Sequence, residues 1–278
     1  MKDWSPLPAP APDFPGTLYR IAPFPAVHVP PRNVDLWLPA GYAPDKRYPV
    51  LYMHDGQNLF IPAESYTKIT WGVAETLTAL AIDCIVVGVW NAGDLRVPEY
   101  TPEAPFIGAH FDPLREDIRK HSGALPCSDA YLRFLVEELK PWVDGNLSTL
   151  PGPAHTGVMG SSMGGLISLY ALCRYPQVFG RAGCLSTHFP IGGGQVEEWM
   201  RNVLPQPSSH RLYFDFGGRG IDRAYGIHHL RVKGFLDAAG WREGRDYLIR
   251  QFKSATHNEK AWRERLHIPL NFLFGDNL

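Results

Sequence analysis

The sequence predicts an α/β fold with a mostly parallel central sheet and helices on both faces. Three observations carry that prediction. Apolar runs of strand length recur at residues 34–38, 50–54, 84–90, 155–159, 182–185, 212–216 and 247–252. Several are near-continuously apolar instead of alternating, as strands buried on both faces are. Between them lie segments with helical spacing, and strand–helix alternation marks a parallel sheet flanked by helices. The length of 278 residues suits one domain of this kind, and 45% hydrophobic residues supply its core.

Taken in order, residues 1–16 are Pro-rich and read as an extended arm ahead of a single domain spanning 17–278. The first apolar run ends in a turn-rich loop, and the second ends in the polar cluster His54–Asp55. The segment 128–147 is the clearest helix. Its Tyr131, Phe134, Leu135, Leu139, Trp142 and Val143 follow i, i+3, i+4 spacing, with Ser128 as the expected N-cap and Pro141 as an expected kink. Residues 166–174 form a helix that stops before Pro176. Residues 224–240 and 259–272 are also helical in pattern, with Pro269 expected to interrupt the last. Residues 92–127 lack a clear period and are expected to be a lid or substrate loop, with the aromatics Phe106 and Phe111 as candidate contacts.

Composition excludes several functions. Lys plus Arg is 27 against 28 Asp plus Glu, so no charge excess points to a nucleic-acid or membrane partner. Cys84, Cys127, Cys173 and Cys184 form no CxxC and read as small core hydrophobes, not as a metal cluster or disulfide framework. The N-terminal segment has no apolar stretch of the secretory type, and a cytoplasmic location is expected.

Parallel sheets place ligand sites at the carboxyl ends of their strands. There, after the run 155–159, the chain reads Gly160–Ser161–Ser162–Met163–Gly164, a GxSxG pattern between a strand and a helix. This is the context of a nucleophile elbow, the mark of an α/β-hydrolase fold. A sharp turn exposes the serine hydroxyl, and the next backbone N–H, on Met163, faces a developing oxyanion.

Serine needs a base, and in this fold the order is serine, acid, histidine. Among the histidines after Ser162, His257 lies just beyond the last apolar run, at the sheet top. His210 precedes a strand, His228 and His229 sit in a helical pattern, and His267 is late in the final one. His188 also follows a strand, but too early for the base, and is a candidate substrate contact. For the acid, Asp222 and Asp215 compete. Asp215 lies inside LYFDF, where the pleat fixes its direction, whereas Asp222 sits in a glycine-rich loop that can reach an imidazole Nδ1–H. The loop position favours Asp222. Asp246 precedes the last run, at the wrong end. A second oxyanion donor is expected from the loop after 50–54, where Gly56 permits close backbone approach to a ligand; Gln57 N–H is the first candidate and Asn58 the next.

Several motifs together resemble a known group: LYMHDGQNLF at 51–60, WGVAETL at 71–77, EYTP at 99–102, DAYLRFLVEELKPWVD at 129–144, GSSMGGLISLYAL at 160–172 and HNEKAWRERL at 257–266. They are similar to the putative-esterase branch of the α/β-hydrolase superfamily, which includes enterochelin-type siderophore esterases, feruloyl and acetyl-xylan esterases and the related mycolyltransferases. The resemblance implies Ser162 as nucleophile and His257 as base. It departs at 217–220, where this chain has GGRG and similar proteins often carry GTEG. It further implies that Arg96 and Tyr100 shape the site mouth, Arg96 either pairing with an acidic substrate group or forming an ion pair with Glu99 or Glu103.

The expected function is hydrolysis of a small-molecule carboxylic ester through an acyl-enzyme on Ser162, with no metal or organic cofactor required. Two alternatives use the same fold: acyl transfer to an acceptor other than water, and a binding protein without catalysis.

Overall fold

A computed structural model describes residues 4–207 and 210–275. Its centre is a nine-stranded sheet in the order β1-β2-β3-β5-β4-β6-β7-β8-β9. The strands are β1 Ser5–Pro6, β2 Thr17–Phe24, β3 Arg32–Leu38, β4 Val50–His54, β5 Ile85–Val89, β6 Thr156–Ser161, β7 Arg181–Leu185, β8 Arg211–Gly217 and β9 Tyr247–Phe252. From β5 through β9 all pairs are parallel, while β1, β2 and β3 add an antiparallel margin. The parallel strands β4 to β7 are buried along their whole length, which explains their near-continuous apolar character.

Ten α-helices accompany the sheet: α1 Val73–Ala79, α2 Arg96–Tyr100, α3 Asp112–Ser122, α4 Ser128–Arg133, α5 Lys140–Asn146, α6 Met163–Arg174, α7 Gln195–Val203, α8 Gly226–Ala238, α9 Glu259–Arg265 and α10 His267–Phe274, among the described residues. Two apolar layers result. One packs residues of α4 to α8 against one face, with Leu166, Ile167, Val196 and Val232 among them. The other packs α1, α9 and α10 against the opposite face through Leu77, Trp262 and Leu270. None of the described helices is long and apolar enough to cross a membrane.

Several expectations are corrected. Strand β2 went unread because it mixes exposed and buried positions and carries Arg20 and Pro23, as an outer antiparallel strand can. The Pro-rich arm lies along the sheet margin: Ser5 and Pro6 pair with β2, and Trp4 packs on Tyr19 at a centroid distance of 4.5 Å. Segment 92–127 contains α2, α3 and three 3-10 turns. Its pattern was weak because α2 has five residues and α3 buries only Ile118 fully. Ser128 is the first helical residue, not the cap, and its Oγ accepts from Glu103 N–H at 3.0 Å. The helix 128–146 runs through Pro141 by widening into a π turn at Phe134–Leu139, which accommodates the missing N–H. The last helical segment breaks at Leu266. Pro269 sits in the first turn of α10, where its missing N–H has no intrahelical partner to lose.

The sheet grows outward from β4 in both directions, to β5 on one side and β6 on the other. Such a topological switch opens a crevice at the carboxyl ends of the two central strands. Asp55 follows β4 and Ser162 follows β6, so both stand at that crevice.

Candidate active site

Ser162 connects β6 to α6 with φ 58° and ψ −121°. A non-glycine residue with positive φ stores about 1–3 kcal/mol of strain, and it persists only where the surroundings fix it. Here they do. Ser162 N–H donates to Leu185 O at 2.9 Å, and Ser162 O accepts from His188 N–H at 3.2 Å and Leu166 N–H at 3.1 Å. The strand beside the elbow and the loop after it therefore hold the turn. Gly160 is required because a Cβ there would lie 2.8 Å from the backbone of Gly164. Met163, as the first residue of α6, has no intrahelical acceptor for its N–H.

His257 lies in the loop after β9, and Asp222 in the 3-10 turn Gly220–Ala224 after β8. Their side chains meet, with His257 Nδ1 donating to Asp222 Oδ1 at 2.6 Å. The other carboxylate oxygen accepts from Gly217 N–H at 2.7 Å and Ser186 Oγ at 2.8 Å. Burial opposes ionisation of Asp222, yet these hydrogen bonds, that of His257 foremost, hold its carboxyl below the usual range. The imidazole is gripped edge-on by Trp262, at 5.1 Å between centroids, and Tyr225, at 5.9 Å. Such clamping fixes the ring while leaving Nε2 outside the acid's reach.

Asp215 does not meet His257. Arg265 grips it through Nε at 2.9 Å and Nη2 at 2.8 Å, and Tyr213 Oη and Ser186 N–H donate to it as well. It is a buried structural anion. Asp246 lies at the other end of β9 and accepts from Arg242 N–H at 2.9 Å.

On the other side of Ser162, Asp55 adopts a left-handed conformation with φ 56° and starts the turn Gly56–Asn58. Gly56 makes its close approach to the backbone of Gly88 on β5, not to a ligand: a Cβ would lie 2.5 Å from the Gly88 carbonyl. Asn58 N–H is committed to Asp55 O at 2.9 Å, and its Oδ1 accepts from Tyr66 N–H at 2.9 Å. Of the two oxyanion-donor candidates, Asn58 is thereby occupied. Gln57 uses its side chain to accept from Asn91 N–H at 3.2 Å.

Arg96 pairs with neither Glu99 nor Glu103. Its Nε and Nη2 donate to the two Asp55 oxygens at 2.7 and 2.8 Å, and Asn91 Nδ2 adds a third bond at 2.7 Å. Burial opposes ionisation of Asp55, but Arg96 overcomes it and keeps the carboxyl below its usual range. Glu99 instead forms a fully buried fork with Arg32 at 2.6 and 2.7 Å. Tyr100 is fully buried beneath the Asp55 turn, not at the mouth; Asp55 N–H donates to its Oη at 3.4 Å. Phe106 is buried and packs on Phe111 at 5.3 Å, so these two aromatics anchor the segment. His188 lies beside Ser162 and meets Tyr225 Oη through Nδ1 at 2.6 Å. Burial, then the nearby His257, lowers its pKa.

Two clefts flank Ser162. One of about 540 Å³ includes Gln57, Asn58, Tyr66, Asn91, His257 and Trp262. A second of about 580 Å³ includes Met163, His188, Ile191 and residues of α3. Sequence reading missed Asp55, Asn91, Ser186, Trp262 and Arg265. Asp55 and Ser186 follow a strand directly and Asn91 lies two residues past one, where the carboxyl-end rule points.

An open parallel sheet with a serine elbow at its switch point defines the α/β-hydrolase class. The chain belongs to the family described as Putative esterase, whose profile matches residues 30–271. Ester hydrolysis is the class of activity that this membership carries. The Bacillus subtilis (strain 168) protein YbbA, itself uncharacterized, is 24% identical over 261 residues, spanning 88% of this chain and 94% of that one. Among solved structures, the feruloyl esterase module from Clostridium thermocellum superposes with a TM-score of 0.65 at 17% identity, covering 99% of this chain and 95% of the module. The enterobactin esterase from Shigella flexneri superposes with a TM-score of 0.59 at 18% identity, covering 96% of this chain and 62% of that chain.

Proposed function

We propose that this chain is a serine carboxylic-ester hydrolase working through an acyl-enzyme on Ser162. The observation that carries the reading is the Asp222–His257 pair, 2.6 Å apart, whose imidazole lines the same cleft as the strained Ser162. In this mechanism His257 Nε2 takes the Ser162 proton as Oγ attacks the ester carbonyl carbon. Electrons move onto the carbonyl oxygen, which the N–H groups of Met163 and Gln57 stabilise. The carbonyl re-forms, the bond to the alcohol oxygen breaks, and His257 gives that oxygen its proton. Water then repeats the sequence, releasing the acid and restoring Ser162. Asp222 keeps the proton of His257 on Nδ1 and steadies the imidazolium. Arg96 and Tyr100 act here as supports of the oxyanion turn through Asp55, and Asn58 and His188 as walls of the two clefts.

A cytoplasmic location belongs to the same reading and is supported by four unpaired cysteines. Release of p-nitrophenol from the acetate and butyrate esters tests the mechanism. Ser162→Ala is expected to lose about 10⁴-fold or more in kcat. A fluorophosphonate is expected to add to Ser162 in the wild type, seen by mass spectrometry. Hydrolysis that survives the substitution, or no adduct in an inactive wild type, overturns the proposal. Product analysis with added alcohols separates hydrolysis from acyl transfer.

A further inference from the structure

Ser162 stands where the two clefts meet, and the clefts differ in chemistry. The first holds His257 with carboxamides and Tyr66; the second holds neither His257 nor any other residue of its loop. Its walls are Val97 of α2, Leu114 and Ile118 of α3, Met163, Ile191 and Ile221. Val97 and Ile221 remain 37% and 55% exposed, so apolar surface is left to water on both sides of the groove beside the nucleophile.

From this division we propose that the second cleft takes the acyl group of the substrate, and that this group is uncharged and apolar. The inference rests on the acyl-enzyme reading given above. The base that protonates the leaving alcohol has to lie within hydrogen-bond reach of the alcohol oxygen. The alcohol therefore occupies the cleft that contains His257. The acyl chain, bonded to the same carbonyl carbon, extends into the cleft that lacks it.

Charge decides the rest. Arg96 borders both clefts, but its guanidinium is spent on Asp55. In the acyl cleft, His121 Nδ1 stands 3.5 Å from Asp117 and Asp94 adds a second carboxylate, so an anionic acyl tail meets no unmatched cation there. Helix α3 thus sets acyl selectivity, although its sequence, DPLREDIRKHS, looks like a solvated helix.

A series of p-nitrophenyl esters with one alcohol and a growing acyl chain reads this directly. The kcat/KM of the wild type is expected to rise from acetate through butyrate to hexanoate, by up to roughly fourfold per buried methylene. Ile221→Asp, at an exposed position, and Leu114→Trp, which fills the groove, are expected to lower the hexanoate-to-acetate ratio by about tenfold. Tyr66→Asp, in the other cleft, is expected to leave that ratio alone. A flat chain-length profile, a ratio that both groove variants leave unmoved, or a ratio that Tyr66→Asp moves instead overturns the acyl assignment while Ser162 still forms its phosphonate adduct. Loss of that adduct together with all hydrolysis overturns the acyl-enzyme reading itself.

Discussion

Two buried carboxylates flank Ser162, and they have opposite jobs. Asp55 and Asp222 each follow a strand, and each meets a cationic or protonatable group at 2.6–2.7 Å. Their partners differ. Arg96 is a guanidinium that never gives up its proton, so the Asp55 pair is static and fixes a turn. His257 is an imidazole with a second ring nitrogen clear of the carboxylate, so in the proposed mechanism the Asp222 pair can take up and pass on a proton through Nε2. One motif thus holds a turn on one side of Ser162 and, in the proposed mechanism, serves the proton transfer on the other. The difference lies wholly in the partner's chemistry.

The sharpest break of this comparison is Asp222→Asn against Asp55→Asn. The first keeps shape and size but no longer holds the His257 tautomer, and kcat is expected to fall about 10⁴-fold. The second leaves kcat far less affected. It loosens Arg96 and costs about 2 kcal/mol of stability, below the 3–5 kcal/mol of a fully buried pair because Arg96 is partly exposed. Parallel kcat and thermal-melting measurements decide; equal kcat losses would erase the distinction.

A pH titration of stability probes the ground beneath both sides. His54 lies under the Asp55 turn, and burial lowers its pKa to about 3; His229, behind β8, is lowered to about 4 by the same cause. Both values lie below the unfolded pKa of about 6.5, so between these limits the unfolded chain binds protons the folded chain refuses. Stability therefore falls as pH drops below about 6.5, by about 1.4 kcal/mol per pH unit for each histidine. Melting curves between pH 7 and pH 4.5 are expected to show this, with a shallower slope in His229→Gln. An unchanged slope there would mean that His229 accepts its proton in the folded state.

These results also show what a sequence can carry. The positions of Ser162 after β6 and His257 after β9 were legible because strand, turn and helix each leave a local pattern. The buried strands β4 to β8 were legible for the same reason. The partner of Arg96 was not: Asp55 lies 41 residues away, and the nearby Glu99 turns inward to Arg32. Ion pairing across loops is set by tertiary packing, so proximity in sequence misleads. Helix α3 escaped because it packs lightly: its apolar stripe is only Leu114 and Ile118, one turn apart, and of its residues Ile118 alone is buried.

Ser186 sharpens the Asp222 side. Its φ of 41° places Oγ between three groups: it donates to Asp222 at 2.8 Å and accepts from Trp262 Nε1 at 3.1 Å and Arg265 Nη2 at 3.0 Å. Ser186→Ala removes one hydrogen bond from the carboxylate and leaves two buried donors short. The expected loss is about tenfold in kcat with little change in KM, since the group touches Asp222 and not the substrate. A matching loss of KM would place Ser186 in the binding cleft instead.

The smallest effect expected returns to Arg96. Lysine there keeps the charge but loses the planar fork, so one of two parallel bonds to Asp55 goes. The expected destabilisation is about 1 kcal/mol, less than for Asp55→Asn because no charge is left unpaired. In the proposed mechanism the turn that presents the Gln57 N–H to the oxyanion begins at Asp55, so looser pairing lets that donor wander. Transition-state binding suffers more than ground-state binding when an oxyanion donor is misplaced. Arg96→Lys is therefore expected to lower kcat by about threefold while KM holds. A rise in KM alone would mean that Arg96 acts on the substrate directly, and that the Asp55 pair is less static than its geometry implies.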